Sequence, residues 1–117
     1  MRVLKFRGLH KYGWTYGLLN VLQKCEDGID PRTVGQFTGL KDATGKEIYE
    51  GDVISSYDTD AAVVEFKDDW AAFVARYRDR YFLLDEVVNS PASVNTVKVL
   101  GNIYDDPDLC AAKEGVS

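Results

Sequence analysis

Two closely spaced turn signals in the middle of the chain restrict its fold more than any other feature. In Asp42-Ala43-Thr44-Gly45 an aspartate leads and a glycine closes the tetrapeptide. Aspartate at the first position accepts from the backbone two residues on, and glycine at the fourth tolerates the left-handed conformation. This predicts a type I turn with a bulge that closes a hairpin. Tyr49-Glu50-Gly51-Asp52 follows, with glycine where a type II turn needs positive φ, and leads directly into the strand Val53 to Tyr57. Turns this close belong to short antiparallel strands rather than to alternating βα units.

The flanking sequence continues the pattern. Val3 to Gly8 alternates, and Trp14 to Leu22 is rich in aromatic and branched residues, so both read as strands joined through Leu9 to Gly13. Glu26-Asp27-Gly28 and Asp30-Pro31 signal turns, and Val34 to Phe37 reads as a short strand. Asp58 to Asp60 turns the chain again before the strand Ala62 to Phe66. Asp68-Asp69 breaks it, and Trp70 to Tyr77 reads as strand because its aromatics and valine outweigh its alanines. Tyr81 to Val88 and Thr96 to Tyr104 are read as strands separated by Asn89-Ser90-Pro91. Asp105-Asp106-Pro107-Asp108 has an acidic cap and an early proline for a short helix over Leu109 to Lys113. The expected fold is all-β and mainly antiparallel: a small SH3-like, partly open barrel with an N-terminal hairpin and a short C-terminal helix. Residues 1–117 are read as a single domain, since 117 residues with 45% apolar content suffice for one core and not for two.

Charge and cysteine usage narrow the function classes. Residues 1–24 hold Arg2, Lys5, Arg7, Lys11 and Lys24 and no acid, whereas the remainder carries nine basic and nineteen acidic residues. That balance disfavours a purely electrostatic nucleic-acid binder and suits contact between copies or a partner that reads one end. Cys25 and Cys110 stand far apart without histidine or cysteine at metal spacing, so they read as reduced thiols. No run approaches the roughly 20 apolar residues of a membrane span, and the N-terminus lacks a signal-peptide block, so a cytoplasmic protein is expected.

The segment Gly35 to Ile54, GQFTGLKDATGKEIYEGDVI, closely resembles the central motif of the YopX family. VLGNIYDDPDL, from Val99 to Leu109, resembles that family's closing motif, and Lys5-Phe6-Arg7 its opening KFR. Trp14, Tyr16 and Gly17 are similar to a W-x-YG found in some members; Gly8-Leu9-His10 departs from the tryptophan and aspartate that often follow the opening arginine. The resemblance implies a phage or prophage source and a β-rich fold, and brings no reaction, substrate or catalytic residue. Its motif residues are Gln36, Phe37, Thr38, Gly39, Leu40, Asp42, Gly45, Ile48, Tyr49, Glu50, Gly51, Asp52, Gly101, Asn102, Ile103 and Tyr104. These are read as architectural.

Glu47, Glu50 and Asp52 are the one carboxylate group that invites comparison with a paired acid–base or metal site. On a strand-turn-strand path they need not converge, and Glu50 and Asp52 read as solvated turn residues. Asp105, Asp106 and Asp108 read as helix-capping charge. His10, the sole histidine, has no neighbours suited to nucleophilic or metal chemistry, and P-loop, dinucleotide and nucleophile-elbow motifs are absent. No catalytic residue, metal or cofactor is therefore expected. Lys5, Arg7, Lys11, Tyr12, Trp14 and Tyr16 form the most attractive binding surface, since aromatics stack on bases while cations take phosphates. The competing expectation is that Trp14 and Tyr16, sharing a strand face, pack inward. The sequence thus points to a non-enzymatic accessory protein that binds a host or phage protein or itself. A nucleic-acid module is the alternative and a small hydrolase a distant third.

Overall fold

The computed structural model describes residues 4–18, 28–56, 59–89 and 96–109. It is mostly antiparallel β, in two sheets with a curled half-barrel and one short helix. The strands are β1 (Phe6–His10), β2 (Gly13–Gly17), β3 (Asp30–Lys41), β4 (Glu47–Tyr49), β5 (Asp52–Ser56), β6 (Thr59–Lys67), β7 (Ala72–Tyr77), β8 (Arg80–Leu83) and β9 (Lys98–Asn102). One sheet has the order β2-β1-β3-β4 and the other β8-β7-β6-β5-β9. The N-terminal hairpin is present, with Phe6 opposite Gly17 and His10 opposite Gly13.

Both central turns form as their residues dictate. Gly45 donates its amide to the Asp42 carbonyl at 3.0 Å, and one carboxylate oxygen of Asp42 accepts from the Thr44 and Lys46 amides. Gly45 and Gly51 have φ of 89° and 90°. The second turn carries the chain from β4 in one sheet to β5 in the other, so it is the point where the sheets are joined. Ile48, Ile54, Ala62, Val64, Ala75, Leu84 and Val97 form the buried core around that crossing. The run Ala61 to Val64 is buried on both faces, which is why β6 reads as continuous apolar sequence instead of alternating.

Several expected boundaries move. Asp30-Pro31 opens β3 instead of turning the chain; the turn propensity of Asp30 is spent on its own strand, where its carboxylate accepts from the Arg32 amide. Val34 to Phe37 is the middle of this longer strand. Trp70 belongs to a single 3₁₀ turn, Asp68–Trp70, and β7 starts at Ala72. The largest correction concerns Tyr81 to Val88: only Arg80–Leu83 is strand, and Leu84–Asn89 is the helix α1. Leu84, Val87 and Val88 stand at helical spacing and face the core, while Asp85 and Glu86 occupy the first turn where the helix dipole favours acids. The expected C-terminal helix begins at Asp108 and Leu109, and its remainder lies outside the described residues. Cys25, Cys110, Leu19 to Leu22 and the Ser90-Pro91 part of the expected turn also lie outside them. No described helix is long and apolar enough to cross a membrane.

Candidate functional site

The four motif segments that are separate in sequence meet at the β4–β5 turn. Strand pairing sets Arg7 of β1 between Tyr16 of β2 and Gly35 of β3, and the Arg7 side chain turns under the Tyr49–Asp52 turn. Its Nη2 donates to Asp52 Oδ1 at 2.6 Å and to the Glu50 carbonyl at 3.3 Å. Asp52 Oδ2 accepts the Tyr49 amide at 2.8 Å. The guanidinium is sandwiched, with its carbon 4.5 Å from the Trp14 ring centre and 5.0 Å from that of Tyr49. Arg7 and Asp52 are 5% and 1% exposed, so the surface role expected for Arg7 and the solvated position expected for Asp52 are both corrected. An arginine inside a small β domain is tolerated because a carboxylate, a carbonyl and two aromatic faces replace water around it. Its Nε is buried and meets no acceptor among the described residues. Burial pushes the Asp52 carboxyl above its ordinary range, opposed by the Arg7 charge and the Tyr49 amide.

Around this pair the other polar groups are committed one by one. Glu50 is half-buried, not solvated as its turn position suggested, and its Oε1 accepts the Gln36 amide at 2.9 Å. Lys5 donates to Glu47 Oε2 at 2.6 Å, and the Tyr49 hydroxyl donates to Glu47 Oε1 at 3.1 Å. The Lys5 hydrogen bond, with help from Tyr49 and against burial, holds the Glu47 carboxyl below its ordinary range. Glu47, Glu50 and Asp52 therefore surround one turn but aim at three different partners, an arrangement for holding strands together. Trp14 donates its indole Nε1 to Asp105 at 2.8 Å, and Asn102 donates to the same carboxylate while its own oxygen accepts the Tyr104 and Asp105 amides. The indole and Asn102 bonds keep the Asp105 carboxyl low.

Two glycines are needed for this convergence. A Cβ on Gly35 would stand 2.8 Å from the Glu50 carbonyl, and one on Gly51 would stand 2.9 Å from the Tyr104 ring. Gly51 further ties the sheets by donating to the Val64 carbonyl and accepting the Ile103 amide. Phe37 and Ile48 are buried, Thr38 donates to the Ile48 carbonyl, Leu40 packs on the core, and Gly39 has φ of 86° beside an irregularity in β3–β4 pairing.

Of the six residues read as a binding surface, Lys5, Arg7 and Trp14 are thus engaged internally. Tyr12 and Tyr16 are 83% and 52% exposed, and Lys11 is exposed with its ammonium 5.0 Å from the Tyr12 ring centre. Tyr16 meets Tyr49 edge-on, which makes it the rim of the arginine sandwich.

A different exposed group was not singled out by sequence. Phe66, Trp70, Tyr81 and Phe82 are exposed around β6, β7 and β8, with the Lys67 ammonium 4.3 Å from the Tyr81 ring centre and 5.7 Å from that of Trp70. Their signal in the sequence was the adjacent pair Tyr81-Phe82, which a strand must send to opposite faces.

The architecture defines a two-sheet antiparallel β protein pinned by a buried arginine–aspartate pair. It is similar in fold to protein EF1440 from Enterococcus faecalis, with a TM-score of 0.61 over 94% of this chain and 99% of that one, at 19% identity. The model for YopX protein matches residues 5–111, and the chain belongs to the YopX family. No curated protein sequence matches it.

Proposed function

We propose that this chain is a non-catalytic phage or prophage accessory module that works by binding protein, either a separate host or phage partner or a second copy of itself. Its half-barrel is read as the small SH3-like kind, working in the cytoplasm without a cofactor. The observation that carries the proposal is how the ionisable groups are used. Glu47, Glu50, Asp52 and Asp105 each hold a named strand or turn in place, whereas Phe66, Trp70, Tyr81 and Phe82 stay exposed around β6, β7 and β8. Exposed aromatics set among charges are the composition of protein-binding surfaces.

The nucleic-acid alternative relied on six N-terminal residues, and three of these are engaged internally. Affinity capture of the tagged chain from producing cells, with and without nuclease, distinguishes the two. A specific protein, or the untagged chain, retained after nuclease is the expected result. Recovery that vanishes with nuclease treatment contradicts the proposal.

A further inference from the structure

Among the described residues β8 ends the five-stranded sheet and is paired on one side only, to β7. Arg80, Tyr81 and Phe82 are all exposed, and no described strand pairs with the outer edge of β8. An open edge presents unpaired backbone donors and acceptors, and proteins usually blunt such edges with proline, a bulge or a cover. Here the edge has aromatic side chains instead, and it carries an ordered charge pattern. Arg78 and Arg80 stand at its start, with Asp79 between them, and Asp85 and Glu86 follow its end in the first turn of α1. All five are exposed, and Asp85 accepts a hydrogen bond from Asn89 within the helix. Arg78 holds φ of 59°, a left-handed conformation unfavourable for arginine, in the two-residue loop between β7 and β8, and its guanidinium carbon lies 5.3 Å from the Tyr77 ring centre.

A strand that is basic at its start and acidic at its end complements itself in one orientation only. Antiparallel pairing about a two-fold axis near Tyr81 and Phe82 sets the arginines of each copy against the acids of the other, whereas parallel pairing sets like against like. A groove of about 420 Å³, lined by Tyr77, Arg78, Arg80 and Phe82 among others, lies at the basic end where the acidic helix start of a second copy would arrive. We propose that the β8 edge is a two-fold self-association surface that continues the five-stranded sheet across two copies. This rests on the binding role proposed above and names its surface. Four paired residues per copy make a small contact, so the association is weak and reversible, with Kd on the order of 100 µM, and tightens at low salt.

Sedimentation equilibrium tests it on four samples: the parent, Arg78→Glu/Arg80→Glu, Asp85→Lys/Glu86→Lys, and an equimolar mixture of these two variants. Each variant alone should weaken association by about 10-fold or more through like-charge contact, and the mixture should recover to within about 3-fold of the parent. Tyr81→Lys leaves both charged ends intact and should also weaken pairing, by placing charge on the edge. Circular dichroism confirms that each variant keeps its β structure. If the parent associates and neither end matters, the β8 surface is wrong while self-assembly stands. If the parent stays monomeric to about 1 mM, self-assembly itself fails and binding to a separate protein is what survives.

Discussion

The β4–β5 turn and the β8 edge are built from the same materials, arginine, carboxylates and aromatic rings, and put them to opposite uses. At the turn, Arg7 is enclosed by Asp52, Trp14 and Tyr49, and every carboxylate around it has a partner within the chain. At the edge, Arg80 and Tyr81 are exposed on a strand with one neighbour among the described residues. The difference teaches that the most motif-like stretch of this chain is where the fold is secured, and that binding capacity is sought where side chains are left over from that task.

The comparison breaks first at Arg7. Arg7→Met should cost about 3–5 kcal/mol in urea unfolding, because it strands the Asp52 carboxylate in the interior. Gly51→Ala combines a positive φ with a Cβ 2.9 Å from Tyr104 and should cost about 2 kcal/mol, whereas Gly45→Ala has a similar φ with nothing among the described residues within 4 Å and should cost about 1 kcal/mol. Their difference in melting measures the contact apart from the backbone.

Acid offers a third probe. Asp42, Glu47 and Asp105 have carboxyls held below their ordinary values. For Asp42, burial acts upward but is outweighed by bonds from Val99, Thr44 and Lys46. A carboxyl lowered in the folded state contributes stability that is present above its unfolded value, about pH 4, and lost as pH falls through the folded one. Urea midpoints should therefore fall between pH 5 and pH 2.5, and Asp105→Asn should reduce that slope. Glu50→Gln should cost under about 0.5 kcal/mol, since glutamine still accepts the Gln36 amide, while Glu50→Ala should cost about 1 kcal/mol. Smallest of all, Tyr81→Lys at the edge should leave the melting temperature within about 2 °C of the parent at a concentration where the chain is monomeric.

The turns were legible because their chemistry is local: Asp42, Gly45 and Gly51 are each required by the conformation of their own tetrapeptide. α1 was hidden by shortness, since Tyr81 to Val88 offers apolar residues at both strand and helix spacing and only packing of Leu84, Val87 and Val88 decides. The burial of Arg7 was illegible for a different reason. An arginine in an alternating strand normally marks the solvent face, and the partners that reverse this are distant in sequence: Asp52, Tyr49 and, through Trp14, Asp105. The motif similarity framed those segments but did not say that they meet.

The central claim, that the motif segments form a structural pin with Arg7 and Asp52 at its centre, is tested most directly by a double-mutant cycle. Arg7→Met and Asp52→Asn each leave one buried charge alone, while the double variant leaves none and retains an acceptor for the Tyr49 amide. Unfolding free energies of the four proteins should show each single variant strongly destabilised and the double variant no worse than either, a coupling of about 2 kcal/mol or more. Additive losses, or single variants as stable as the parent, would contradict it.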